Sequence, residues 1–162
     1  MWVDADACPG AVKEIILRAA VRLCVRTVFV ANKPLKLPIS PYVSSERVGA
    51  GLDVADGRIA QNAQPGDLAV TADIPLAARL VEKGVTTLDP RGTLYDAQSM
   101  GEVLALRNFM HELREGGVQT SGPKGFGPRD AQQFAATFDR ELSRALKAAR
   151  PSTPSPPRNP PA

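Results

Sequence analysis

The fold is decided by residues 1–9, Met-Trp-Val-Asp-Ala-Asp-Ala-Cys-Pro. The first three residues are apolar and predict a short strand, and Pro9 suits the first turn of a helix that follows it. Asp4 and Asp6 follow this strand, and side chains two apart on a strand point the same way. Because ligands of open α/β sheets bind outside the carboxyl ends of the strands, the two aspartates predict a site where oxygen ligands share one hard cation.

A second segment of the same kind spans residues 69–75, Ala-Val-Thr-Ala-Asp-Ile-Pro. It is an apolar strand that ends at Asp73 and then meets a proline. Two such strand ends predict an acidic, metal-binding pocket that contains Asp4, Asp6 and Asp73. Helix capping is the alternative for Asp6 and Asp73, because aspartate is a common N-cap residue. Capping leaves Asp4 unexplained.

Other polar residues near predicted strand ends are further candidates. Either Asp53 or Asp56, which follow the Gly-Ala-Gly turn at 49–51, would complete the acidic cluster. The side chain of Thr71 is suited to a hydrogen bond with a carboxylate or a phosphate, although threonine is also a common strand former. The remaining candidates for substrate contact follow the second predicted strand, the fifth one, and the first of the two C-terminal helices: Asn32, Arg91, Thr120 and Lys124.

Length and composition exclude several classes of protein. A chain of 162 residues with 43% apolar residues fits one domain with a real core. No stretch approaches the roughly 18 apolar residues that span a bilayer, and the N-terminus lacks the order of a signal peptide, so we expect a cytoplasmic protein without a membrane partner. Two cysteines and one histidine provide neither a disulfide framework nor a zinc cluster.

The charges are unevenly distributed along the chain. Residues 1–99 hold 11 basic and 11 acidic side chains, whereas residues 100–162 hold 9 and 6, so the whole excess of +3 lies in the C-terminal part. A basic C-terminal third beside an acidic pocket suits a polyanion held near bound metal, which favours nucleic acid as a partner. A solvated helix face is the alternative. The sequence sets no oligomeric state.

Strands and helices alternate along the first part of the chain, which predicts a mostly parallel sheet with right-handed crossovers. We expect one α/β domain over residues 1–149. Residues 150–162 are rich in proline and carry no large apolar side chain, which predicts a disordered tail. The predicted strands cover residues 1–3, 27–31, 42–48, 68–71 and 85–88. The predicted helices cover residues 11–24, 75–82, 99–115 and 129–149, with a short helical segment near Asp53.

Several of these motifs, in order, resemble the YaiI/YqxD family. The resemblance covers about residues 1–147, and residues 119–123, Gln-Thr-Ser-Gly-Pro, fit the family's Thr-Gly-Gly-Pro-like loop with Ser121 in place of a glycine. The motifs that carry the resemblance are residues 2–9, 30–32, 51–56, 66–77 and 90–92.

This family is similar to the PIN-like nuclease superfamily, whose members cluster acidic residues around Mg²⁺ or Mn²⁺ at the strand ends. The resemblance implies a PIN-like three-layer fold and a metal-dependent nuclease that hydrolyses phosphodiester bonds, above all in RNA. Asp4 resembles the PIN aspartate at the end of the first strand, and residues 71–73 resemble the PIN Thr-x-Asp element. Only Asp53 and Asp56 are available in place of the PIN helix glutamate.

Two other functions stay open at this point. Asp-x-Asp after the first strand is typical of haloacid-dehalogenase-type phosphatases, where Asp4 would be the nucleophile and Asp6 the general acid and base around Mg²⁺. No lysine with a downstream acidic pair completes that pattern. A non-catalytic RNA-binding protein would instead use the basic C-terminal third for affinity.

Overall fold

The sheet contains six strands: β1 (Trp2–Asp4), β2 (Thr27–Ala31), β3 (Val43–Arg47), β4 (Leu68–Val70), β5 (Thr86–Leu88) and β6 (Leu94–Tyr95). They come from a computed structural model that describes residues 1–51, 53–122 and 124–149. The strand order is β3-β2-β1-β4-β5-β6. The first five strands are parallel, and β6 is antiparallel to β5. The tail predicted over 150–162 lies outside the described residues.

Five helices cover the two faces of this sheet: α1 (Gly10–Leu23), α2 (Val54–Asn62), α3 (Ile74–Glu82), α4 (Ala97–Glu115) and α5 (Pro128–Ala149). Helices α1 and α5 pack on one face, α2 and α3 pack on the other, and α4 packs on α3. This arrangement confirms the predicted α/β class and is consistent with a PIN-like three-layer fold. None of the described helices combines the length and the apolar character that a membrane crossing requires.

Both faces of the sheet are buried, which explains why the strands are apolar along their length. Val3 and Phe29 face α1 and α5, whereas Val30 and Ala69 face α2 and α3. Side chains alternate along a strand, so Asp4 lies on the same face as Trp2, the face that α2 and α3 cover. Burial of each large apolar side chain contributes about 1.5–3 kcal/mol.

The strand order creates a crevice between β1 and β4. The chain leaves β1 into α1 on one face and leaves β4 into α3 on the other face. Neighbouring connections that diverge in this way leave a gap at the carboxyl ends of the strands, where ligands of such sheets bind. The fold therefore brings the ends of the first and fourth strands, which carry Asp4 and Thr71, to one place.

The one strand that the sequence analysis did not predict is β6. It contains two residues, which is too short to show a periodic pattern, and it follows a tight loop closed by the Asp89 N–H bond to the Thr93 carbonyl. Within this loop Gly92 has φ +89°, and an added Cβ would lie 2.7 Å from the backbone of Gln133 in α5. Glycine is therefore required here both by the backbone conformation and by the close approach of α5.

Candidate functional site

Asp4 is buried at the end of β1, with 5% of its surface exposed. Its Oδ2 accepts a hydrogen bond of 2.9 Å from the hydroxyl of Thr71, the residue that follows β4. The same hydroxyl accepts a 3.0 Å bond from the backbone N–H of Asp73. This chain of two bonds links the ends of β1 and β4 across the crevice and orients the Asp4 carboxylate.

The environment of Asp4 disfavours its charge. Burial raises the pKa of Asp4 above its usual value, the Thr71 hydrogen bond opposes that shift, and the charges of Asp6 and Asp73 raise the pKa further. Among the described residues, none of these three carboxylates has an ion-pair partner. Burial and the two neighbouring carboxylates thus act together against the charge of Asp4.

Asp73 does cap a helix, as the alternative reading of its sequence context expects. Its Oδ1 accepts a 2.7 Å hydrogen bond from the N–H of Leu76 and so satisfies one free donor at the start of α3. Pro75 occupies the first turn of this helix. The cap uses one carboxylate oxygen, while the charge of Asp73 still acts on Asp4. Capping and a place in the acidic cluster are therefore compatible.

Asp6 does not cap a helix. The N-cap of α1 is Pro9, and no side chain caps that end. The Asp6 Oδ2 instead accepts a 2.8 Å hydrogen bond from the backbone N–H of Asn32. The side-chain amide of Asn32, in the orientation that satisfies its hydrogen bonds, also donates to the Asp6 carboxylate. Because β1 ends at Asp4, this contact, rather than strand geometry, fixes the direction of Asp6. It also brings Asn32, after β2, to the site.

Asp56 reaches the acidic cluster from α2. Burial raises the pKa of Asp56 to about 6, with further contributions from the charges of Asp73, Asp4 and Asp53, while Arg79 opposes the shift. Asp53 precedes α2 with φ 64°, is exposed, and makes no capping bond. Of the two aspartates that follow the 49–51 turn, Asp56 therefore has the closer electrostatic coupling to the cluster.

Arg91 belongs to a second group of contacting residues, between the loop after β5 and the start of α5. We call this group the Arg91 corner and define it as Asp89, Arg91, Gly92, Phe126 and Asp130. The Arg91 guanidinium pairs with Asp130 at 2.9 Å, donates to the Lys124 carbonyl and lies 5.9 Å from the centroid of the Phe126 ring. These contacts tie the loop after β5 to the start of α5. Contact of Arg91, Thr120 or Lys124 with a substrate stays a prediction.

Sequence reasoning missed one contact at the site. The Nζ of Lys13 in α1 donates a 3.3 Å hydrogen bond to the carbonyl of Ala5, between the two first aspartates. The sequence gives no signal that separates this lysine from an ordinary surface lysine, because the contact depends on how α1 returns over the loop. Nearby, burial raises the pKa of the Cys8 thiol to about 12, so this thiol stays protonated near neutral pH.

The donor chemistry of the cluster suits a hard divalent cation. Within residues 1–51, 53–122 and 124–149, no group of three His, Cys, Asp or Glu side chains is assembled closely enough to hold a metal ion. The carboxylate oxygens of Asp4, Asp6 and Asp73 are nevertheless the ligand type that Mg²⁺ prefers. A bound cation would also relieve the mutual repulsion that raises the pKa of Asp4. The residues suit such an ion in ligand type and in charge, while binding it would require their oxygens to move closer together than the described side chains place them.

The fold and the site together define an α/β protein with an acidic cluster at the switch point of its sheet. The chain belongs to the YaiI/YqxD family, since the model described as "Uncharacterized BCR, YaiI/YqxD family" matches residues 2–144. This membership confirms the resemblance predicted from the motifs.

The chain is also similar to bacterial proteins named "UPF0178 protein". One from Myxococcus xanthus is 64% identical over 147 residues, which cover 91% of this chain and 96% of the relative. Another, from Syntrophobacter fumaroxidans, is 51% identical over 147 residues, which cover 91% of this chain and 96% of the relative. A third, from Maridesulfovibrio salexigens, is 49% identical over 146 residues, 90% of this chain and 97% of the relative. No solved structure matches the chain significantly.

Proposed function

We propose that this protein is a cytoplasmic Mg²⁺- or Mn²⁺-dependent phosphodiesterase that hydrolyses nucleic acid, with RNA as the first candidate substrate. The observation that carries the proposal is Asp4, a buried carboxylate without an ion-pair partner among the described residues, held beside other carboxylates in the crevice between β1 and β4. Ionisable side chains whose pKa values are strongly shifted by their surroundings cluster at functional sites.

Each residue of the cluster has a distinct role in this proposal. Asp4, Asp6 and Asp73 would hold the cation, and Asp56 is the next carboxylate in reach of their charge. When bound, the cation supplies Lewis-acid stabilisation of the phosphate oxygens and lowers the pKa of water. The Thr71 hydroxyl holds Asp4 in position and is itself held by a backbone N–H.

Asn32 follows β2 and contacts the acidic cluster through Asp6. Its backbone N–H fixes Asp6, so its side chain lies at the end of β2 beside the cluster. An amide group offers both donors and an acceptor to a substrate. We therefore assign Asn32 to substrate orientation, with the chemistry centred on Asp4.

The test is cleavage of labelled single-stranded RNA by the purified protein with Mn²⁺, with EDTA, and by an Asp4→Asn variant. Asp139→Asn is the matched control, because this exposed aspartate of α5 has only a 3.9 Å ion pair with Arg22. We expect cleavage by the wild type and the control, none with EDTA, and about a hundredfold less with Asp4→Asn.

Other outcomes would favour the other two functions. Cleavage that survives both EDTA and Asp4→Asn would contradict the proposal. RNA bound without cleavage, also in EDTA, would favour a binding protein. A phosphate trapped covalently on Asp4 would favour a phosphatase of the haloacid-dehalogenase type.

A further inference from the structure

A small cleft lies at the carboxyl ends of β2 and β3. Its volume is about 180 Å³, and its lining includes Lys33, Pro34, Leu35 and Arg47. Pockets for drug-sized ligands measure roughly 300–1,000 Å³, so this cleft suits one unit of a larger molecule. Two cationic side chains and two apolar ones share this small space.

The two cationic side chains of the cleft, Lys33 and Arg47, form no ion pair with any described residue. Glu46 also lines it, but this carboxylate forms an ion pair with Arg58 of α2. Lys33 and Arg47 are exposed, and the described part of the chain provides neither with an ion-pair partner. Exposed cations without partners attract phosphate, and they release counterions when they bind it.

The register of the sheet places the cleft relative to Asp4. Ala31 pairs with Arg47 across β2 and β3, and Asp4 pairs with Val30 across β1 and β2. Neighbouring strands lie about 4.8 Å apart, so the end of β3 is about 10 Å from the end of β1. Asn32, whose N–H is bonded to Asp6, directly precedes Lys33 of the cleft. The carboxyl edge of the sheet thus runs from an acidic to a basic position.

We propose that this cleft binds a backbone phosphate and the adjoining base of a single-stranded nucleic acid whose other part reaches the acidic cluster. Lys33 and Arg47 would contact the phosphate, while Pro34 and Leu35 offer an apolar surface to the base. A flexible single strand can follow the sheet edge and place consecutive units at the two positions. The substrate class rests on the proposed function, whereas binding at the cleft requires no cleavage.

The experiment measures binding of a fluorescent single-stranded RNA of about 12 nucleotides in EDTA, from 50 to 200 mM salt, by anisotropy. The wild type is compared with Lys33→Gln/Arg47→Gln and with Arg18→Gln/Arg107→Gln, which removes the same charge from two exposed helix positions. Each phosphate contact with a single strand contributes about 0.7 to the slope of log K against log salt. We expect the cleft variant to lose about 1.4 of slope and about tenfold in affinity, and the control to lose little.

The outcomes separate this inference from the proposed function. An unchanged slope and affinity in the cleft variant, or equal losses in both double variants, would overturn the cleft. Absence of RNA binding by the wild type would overturn it as well. A wild type that binds through the cleft but never cleaves RNA with Mn²⁺ would support the cleft and contradict the nuclease. Circular dichroism of both double variants checks that each remains folded.

Discussion

Two groups of aspartates differ in how their surroundings act on the charge of the carboxylate. In the Arg91 corner, the Asp89 Oδ1 accepts from the N–H groups of Arg91 and Thr93. The Gly127 N–H and the Arg91 guanidinium lower the pKa of Asp130. In the acidic cluster, burial and neighbouring charges raise the pKa of Asp4. The surroundings of Asp130 favour the charged carboxylate, whereas the surroundings of Asp4 disfavour it.

Under the proposed function, this difference distinguishes the structural carboxylates of the corner from those that would hold the cation. The corner joins the loop after β5 to the start of α5, so its hydrogen bonds and its ion pair contribute to folding. The cluster contributes repulsion, which folding must overcome elsewhere. A buried carboxylate whose charge is disfavoured is a candidate for function, because strongly shifted pKa values cluster at functional sites.

The largest expected effect on activity is at Asp4, where activity and stability should respond differently. Asp4→Asn should reduce metal-dependent cleavage about a hundredfold, which corresponds to ~2.7 kcal/mol of transition-state stabilisation. It should leave the unfolding free energy at pH 7 equal or higher, because the variant keeps an oxygen for Thr71 and removes a disfavoured charge. Activity assays and urea unfolding measure the two quantities.

Asp130→Asn is the corresponding variant of the Arg91 corner, where the surroundings lower the pKa of the carboxylate. It removes a carboxylate whose charge is favoured by the Gly127 N–H and Arg91, so we expect a lower melting temperature with cleavage retained. A loss of stability in Asp4→Asn larger than that in Asp130→Asn would contradict the division into two groups.

A second prediction concerns the packing of the Arg91 corner on α5. Gly92→Ala should destabilise the protein by about 3 kcal/mol, since the new Cβ adds overpacking to an unfavourable positive φ. Gly66→Ala is the matched control, because Gly66 has the same φ of +89° and no atom within 4 Å of the added Cβ. Its expected cost is about 1 kcal/mol. Equal costs in urea unfolding would show that α5 does not approach the corner closely.

The next prediction tests the link between β1 and β4. Thr71→Val removes the hydroxyl and leaves the Asp4 oxygen and the Asp73 N–H without this partner, at a cost of about 2 kcal/mol. Thr71→Ser keeps the hydroxyl and should restore most of the stability. If serine and valine behave alike in urea unfolding, the hydroxyl has no role in the link.

The smallest effect is a pH dependence from Asp56. Because its pKa in the folded state, about 6, lies above the unfolded value, the unfolded state releases the proton first as pH rises. Stability should therefore fall between about pH 4 and pH 6 and then level off, by about 1 kcal/mol after allowance for solvent screening. Asp56→Asn should remove this fall. Asp130→Asn should instead remove a rise of stability with pH, because the pKa of Asp130 is lowered.

The sequence predicted the sheet well because its strands are buried on both faces. The apolar run at 27–31 coincides with β2, and the Asp-x-Pro pattern at 73–75 identifies the start of α3. Where the pattern was too short, prediction failed: β6 has two residues and depends on the loop closed by Asp89. Local periodicity carries no information about such a pairing.

The site was predictable only in part. The aspartates at the strand ends predicted that Asp4, Asp6 and Asp73 lie near one another, since parallel strands end at a common edge, and the charges of Asp6 and Asp73 do act on Asp4. Their role as a site stays a prediction. The sequence could not choose between Asp53 and Asp56, because that choice depends on how α2 packs against β1 and β2. It also could not show that Asp6 bonds to Asn32, a contact that joins residues 26 positions apart.

The most direct test of the account is a titration of Mn²⁺, with the free ion followed by electron paramagnetic resonance, against wild type, Asp4→Asn and Asp139→Asn. The acidic cluster predicts that wild type and Asp139→Asn bind the ion alike, and that Asp4→Asn binds it at least tenfold more weakly, about 1.4 kcal/mol. Equal affinity in all three proteins, or no binding by the wild type, would contradict the claim that these carboxylates are held together for a cation.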